Sequence, residues 1–343
     1  SNVTVKNTTI RDSWFGIYFN YTSTITLVDN NIISNWFGIA LEYSSNSRIS
    51  RNSVTTNHYD GVRLFYSSNN NTINGNSITT NKWNGIVLYD SSNNNSVSGN
   101  TVRNNLWSGI MIRNFSNNNR ISENIVTNNG EGIDLNLESS NNTVFGNTIT
   151  ANNGTGIYLL SFSNTVSGNS ITANNGKGIY LYGDSNMISG NTITANNGTG
   201  IYITESSNNK VAGNSIVNNL QGISLTYRSD NNIIYSNSFI NNDCGIYFYS
   251  AYNNKFYHNL MDNTRQIEGE YFMNIWDDGY PSGGNYWSDY TGVDLYSGPY
   301  QNETGSDGIG DTAHEIDADN RDRYPPMSPF TTFACKHGYT VDI

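Results

Sequence analysis

Glu131 and Asp134 are the two carboxylates of this sequence best spaced to act as an acid and a base on one substrate. They lie in its acidic centre, with Glu123 and Glu138 alongside. Aligned with the neighbouring repeats, Glu131 falls beside Ser108 and Thr155, and Asp134 beside Met111 and Tyr158. No second carboxylate joins either row, and no Arg or Lys lies in register to serve a lyase. A solvated acidic face explains that pattern better than catalysis does, so the pair stands as a weak candidate for polysaccharide cleavage.

Metal chemistry has one further candidate. Glu303, Asp307 and Asp311 surround Gly308 and Gly310, approximating the oxygen-rich, sharply turning loop that calcium prefers. Oxygen ligands are missing where Gly305 and His314 fall, so a solvated acidic turn competes on equal terms. The histidines (His58, His258, His314, His337) are scattered and the methionines do not cluster, which argues against a transition-metal site. Cys244 and Cys335 could pair and pin the C-terminal tail, closing a loop worth about 4 kcal/mol in the chain-entropy model. Two separate thiols are the equal alternative. Asn-x-Ser/Thr sequons, among them Asn20, Asn70, Asn94, Asn114, Asn153, Asn197 and Asn302, fit an exported glycoprotein, although an Asn-rich chain produces some by chance.

Two aromatic rows are set by a recurring glycine. Two residues before it come Trp14, Trp36, Tyr59, Trp83 and Trp107, after which Gly130, Gly154, Gly176 and Gly198 take the position. Two residues after it come Tyr18, Tyr158, Tyr180, Tyr202 and Tyr247. Rings stacked along a rod stabilise it by roughly 1 kcal/mol per pair without any ligand. Left exposed, they form a surface for a protein partner first and for a sugar second.

The elements that position these residues follow from that glycine. A Gly-Ile/Val pair occurs eleven times, from Gly16 to Gly245, at gaps of 22 to 24 residues. Apolar residues alternate with period two on either side of it, as in Ile86/Leu88 and Ile157/Leu159, so each repeat is built of strands rather than helices. A bracketed Asn recurs at 30, 52, 76, 100, 124, 147, 169, 191, 214, 237 and 259, with Thr8 in the first unit. Stacked one strand spacing apart, such residues donate amide to amide carbonyl and form an asparagine ladder. This predicts an all-β, right-handed parallel β-helix of about twelve coils over 1–263, a rod on the order of 55 Å long. Residues 264–330 read as a cap in which Trp276, Tyr286, Trp287, Tyr290 and Tyr296 cover the open core, and 331–343 as a tail or the start of a further segment. The repeat is already running at Val3, and an uncovered first coil would invite head-to-tail self-association.

The coil pattern resembles the NosD-like and carbohydrate-binding and sugar hydrolysis β-helix repeat proteins. The cap segments Gly284–Gly292, Asp307–Thr312 and Asp322–Met327 are similar to the closing segment of NosD-like surface proteins of archaea, with Ala313-His314 where that family usually has Pro-Tyr. The resemblance implies an exported, often cell-surface protein; copper, the association that gives NosD its name, is not supported by the scattered histidines. A net charge of -11 disfavours nucleic acid and anionic membranes, and no apolar run is long enough for membrane insertion. Taken together, the sequence points first to a non-catalytic, glycosylated, self-assembling protein of a surface layer, sheath or filament, with no cofactor beyond the candidate calcium. The alternative is a carbohydrate-binding or polysaccharide-cleaving β-helix.

Overall fold

A computed structural model describes residues 2–330. It is a parallel β-solenoid of about 12 turns, with no helix among the described residues, as the periodicity predicts. Each coil has three sides. The first carries strands such as Thr72–Asn74, the second strands such as Ser77–Thr79, and the third strands such as Ile86–Tyr89. Each pairs in parallel with its counterpart one coil away. Period-two alternation sends one residue of each short strand inward, and the stacked columns Ile73/Val97/Ile121, Ile78/Val102/Val126 and Ile110/Ile133/Ile157 are fully buried.

The corners explain why the chain is so rich in asparagine. The residue that turns a corner adopts a left-handed conformation, as at Asp29 (φ 56°), Gly75 (φ 64°) and Asn94 (φ 57°), and the next residue points its side chain into the bend. At the predicted ladder, Asn76 donates both its backbone N–H and its Nδ2 to Asn100 Oδ1, each at 2.9 Å, and its Nδ2 also reaches the Ile49 carbonyl. Thr8 starts this ladder by donating its N–H to Asn30 Oδ1. Two more ladders, not anticipated from the sequence, run beside it. One lies five residues later (Asn35, Asn57, Asn81 and onward) and one five residues earlier (Asn71, Asn95, Asn119 and onward). A serine ladder, Ser44 through Ser139, closes the remaining bend over the early coils. Buried backbone N–H groups that no strand could pair thus find acceptors in the next coil.

The recurring glycine is required by contact rather than by φ. A Cβ on Gly38 would lie 2.1 Å from the Gly61 carbonyl oxygen, and one on Gly85 would lie 2.4 Å from Val102 Cγ1 and 2.5 Å from the Gly109 oxygen. Here the chain passes closest to the coil above, and only a hydrogen fits.

The solenoid extends past the predicted boundary at 263. Strand Ile267–Ile275 pairs with Cys244–Tyr257, and Tyr286–Trp287 pairs with Leu260–Asp262. The cap then terminates the ladders with substitute rungs. Asn320 Oδ1 accepts the N–H of Asn274 and Nε1 of Trp276, and Asp322 accepts the N–H of Asn285 and Nε1 of Trp287. Arg323 grips Asp277 through two nitrogens, at 2.9 and 2.7 Å. Trp276 is buried against Phe256 and Phe248 and Trp287 against Trp276, so they plug the core as expected. Tyr296 does not join them; it is exposed on a peripheral two-stranded ribbon.

Candidate functional site

On the third side, the residues one before, two after and four after the glycine face away from the core. Several are nevertheless buried, among them Asp60, Ser108, Asp134, Thr155, Thr199 and Ser224. The face is therefore a recess between raised rims.

Strand Glu131–Asn136 places Glu131, Asp134 and Asn136 on that face, with Asp134 in register between Met111 and Tyr158. Asp134 is 7% exposed, and its two oxygens accept Nδ2 of Asn136 at 3.1 and 3.2 Å. Burial pushes its carboxyl up to about 7, and the Glu131 charge adds to the rise while Asn136 and Arg113 oppose it. Burial also raises Glu131, against the Thr155 N–H that it accepts and the charge of Lys177. Tyr158 is held above the usual phenol range by burial and by both carboxylates. Behind it Tyr180 and Tyr202 stack at centroid distances of 4.6 and 5.4 Å, and Lys177 Nζ lies 4.7 Å from the Tyr202 ring centre.

Two cations act on the pair without being its immediate neighbours in register. Lys177 belongs to the same column as Glu131, two coils on, and Arg113 pairs with Asn136 across adjacent strands. Comparing immediate neighbours in register missed both. Two polar atoms beside Asp134, Arg113 Nε and Asn136 Oδ1, are buried without a hydrogen-bond partner. Three coils earlier the same face carries another charged group the sequence did not reveal. Arg63 pairs with Glu42 at 3.3 Å and covers the Phe65 ring at 3.7 Å, while buried Asp60 accepts the amide of Asn84.

The tryptophan row forms one rim. Trp14, Trp36, Trp83 and Trp107 are exposed and Tyr59 half-buried; Trp14 stacks on Trp36 at 5.1 Å and Trp83 on Trp107 at 5.5 Å. Stacked in this way, the rings cover one another's faces and turn their edges outward. The same holds for Tyr158, Tyr180 and Tyr202. Where the row changes to glycine, the space goes to a carboxylate: a Cβ on Gly154 would lie 2.3 Å from Glu131 Oε1.

The remaining candidates lie apart. Asp307 accepts the Ile309 N–H at 3.0 Å, Asp311 accepts the N–H groups of Leu295 and Tyr296, and Glu303 is exposed. Asp307 and Asp311 are thus turned to backbone donors, and among the described residues no three metal-binding side chains converge. Of the histidines, His58 contacts Lys82, His258 contacts Ser282, and His314 lies on Trp287. Cys244 is buried, its thiol pushed up to about 11 by that burial and bonded to the Ile246 carbonyl; Cys335 and its proposed pairing lie outside the described residues. Of the sequon residues, Asn20, Asn70, Asn94, Asn153, Asn197 and Asn302 are exposed, and Asn114 is half-buried against Asp90. No helix of the described residues is long and apolar enough to cross a membrane.

A parallel β-helix with a recessed, carboxylate-bearing outer face is the class these features define. Residues 87–226 and 150–292 match the family described as "Periplasmic copper-binding protein (NosD)", and residues 1–102 match "Right handed beta helix region". The chain belongs to the NosD family of right-handed β-helix proteins. Comparison with curated protein sequences finds no match. Among solved structures it is similar to the A-module of the Azotobacter vinelandii mannuronan C-5 epimerase AlgE6, at 13% identity and a TM-score of 0.72, covering 84% of this chain and 92% of that one. It is also similar to alginate lyase AlyF-OU02 (13% identity, TM-score 0.62, 90% and 86% covered) and to the Dettilon tailspike protein gp208 (16%, 0.56, 82% and 62%). At these identities the likeness shows the shared fold.

Proposed function

We propose that this chain is an exported carbohydrate-active β-helix protein, with the recess around Asp134 as the place where it binds a polysaccharide and moves a proton. The observation that carries this reading is the buried carboxyl of Asp134 on an outward face, held at about 7 and flanked by Glu131, Tyr158 and Arg113, with Lys177 acting on Glu131. A group poised near neutrality is what general acid–base work requires. In this reading Asp134 gives its proton to a glycosidic oxygen or takes one from a sugar carbon, Glu131 serves as the complementary base, and Lys177 offsets negative charge that develops. The epimerase and lyase names of the similar structures favour this over a surface-layer role, and the family's description as periplasmic supports export. The exposed tryptophan edge favours a second reading, attachment to the cell surface or self-assembly through that rim.

The test is incubation with alginate, pectate, xylan and β-glucan, following reducing ends, unsaturated uronates and C-5 configuration by NMR. Activity on one of them, lost by at least 100-fold in Asp134→Asn and in Glu131→Gln, is the expected result. A wild-type protein that binds and alters none of them, or an Asp134→Asn variant that is fully active, refutes the proposal.

A further inference from the structure

Trp107 is the last member of its row. One face of its indole stacks on Trp83, at an interplanar angle of 17°. The corresponding residue of the next coil is Gly130, followed by Gly154, Gly176 and Gly198 until Leu220, so no side chain of the row covers the other face. Trp107 is 54% exposed. Interior members such as Trp36 are covered on both sides, by Trp14 and by Tyr59. The four glycine rungs carry no side chain over about 20 Å at one strand spacing per coil; backbone of the preceding coil closes against Gly130, Gly176 and Gly198, and the Glu131 carboxylate fills the space at Gly154.

We infer that Trp107 is a sugar-binding platform and that the glycan crosses the rod over the glycine rungs, running along strand Glu131–Asn136 rather than parallel to the rod axis. This deepens the carbohydrate reading and rests on it. The direction follows from the ring: an indole stacked along the axis presents a face perpendicular to it, and a pyranose lying on that face extends across the sheet. From Glu131 to Asn136 the strand spans about 17 Å, room for a short oligosaccharide.

The far end of that path supplies the matching polar contact. Arg113 Nε is a donor and Asn136 Oδ1 an acceptor, adjacent in register and both without partners. A sugar hydroxyl donates and accepts at once, so one hydroxyl answers both. Arg113 and Asn136 are half-exposed, and a turn of either side chain brings its orphaned atom to the ligand. An apolar ring face at one rim, acids in the middle and a donor–acceptor pair opposite fit a neutral or mildly acidic glycan, bound crosswise.

Titration calorimetry with alginate hexasaccharide, cellohexaose and xylohexaose tests this, using the full chain and its Trp107→Ala, Trp36→Ala and Arg113→Met variants. Trp107→Ala should weaken the bound hexasaccharide about tenfold and Arg113→Met by a comparable factor, while Trp36→Ala changes it less than twofold. Trp36 belongs to the same row but has both faces covered, so a general loss of rim structure would affect it too. If the wild-type protein binds a hexasaccharide and Trp107→Ala binds it equally well, or if Trp36→Ala loses as much, the crosswise platform is overturned and the carbohydrate function survives. If the wild-type protein binds none of the three, both fall.

Discussion

Replacing Asn124 with alanine isolates what a single ladder rung contributes. Asn124 Oδ1 accepts the N–H of Asn100 at 3.0 Å and its Nδ2 at 2.9 Å, and Asn124 Nδ2 donates to the Val97 carbonyl and to Asn147 Oδ1, both at 2.9 Å. Not all four losses are equal. Asn100 Nδ2 keeps the Ile73 carbonyl and Asn147 Oδ1 keeps the Asn124 N–H, but the Asn100 N–H and the Val97 carbonyl lose the contacts the side chain supplied. The Asn100 N–H is stranded at about 1–3 kcal/mol, while the Val97 carbonyl loses a second donor but keeps its place in the strand ladder, so the destabilisation is about 2–3 kcal/mol. Asn118→Ala is the control, because Asn118 is an exposed corner residue with φ of 57°, where alanine costs only about 1 kcal/mol. Urea denaturation compares the two, and hydrogen exchange locates the damage. In a solenoid each coil contacts only its neighbours, so lost protection should stay within the coils of Asn100, Asn124 and Asn147. If Asn124→Ala costs no more than Asn118→Ala, the ladders are decoration and the coil stacking is carried by the apolar columns alone.

Three further outcomes follow from the same contacts. Because the Asp134 carboxyl is raised to about 7 from an ordinary value of 3.8, the folded state holds the extra proton and the wild-type protein loses stability as pH rises from about 4 to about 7. Asp134→Asn should therefore raise Tm at pH 8 and leave it nearly unchanged at pH 4; equal shifts at both would contradict the assignment. Gly38→Ala puts a methyl 2.1 Å from the Gly61 oxygen, against backbone that cannot swing aside, and should cost about 3 kcal/mol by denaturation. Asp322→Ala removes the acceptor for Trp287 Nε1 and the Asn285 N–H, and should increase hydrogen exchange at 285–287 before any coil below it opens.

The architecture was legible because it is periodic. Eleven glycines and a bracketed asparagine set the coil, its inward columns and one ladder. Two other ladders escaped although they sit five residues to either side, since Asn71 and Asn81 lie at corners that read equally well as polar turns. The cap was recognised by its aromatics, yet which of them plug the core depends on Asn320 and Asp322 reaching across 44 and 35 residues. Of the site, the carboxylates were visible and their environment was not. Solvation of Asp134 depends on the rims beside its strand, and the charge near Glu131 comes from Lys177, two coils distant in a column where the immediate neighbours of Glu131 are Ser108 and Thr155. Adjacent-row comparison cannot see a contact that skips a coil.

The same column logic bears on why a carboxyl is buried there at all. Along the outward row of Asp134 other coils place Ala40, Val87, Met111, Tyr158 or Ser224, which the rod accommodates without desolvating a charge, while Arg63 in the same row is paired with Glu42. A purely structural rod would be more stable with one of these at 134, because an unpaired carboxyl loses more by burial than one amide contact from Asn136 returns. The change of the rim from Trp107 to Gly130 falls in the same coil, and Gly154 leaves the space that Glu131 occupies. An acid held near neutrality, a break in the aromatic row and an indole with no ring stacked on its far side therefore meet where two adjacent coils join in a rod otherwise built by repetition, and stacking alone calls for none of the three.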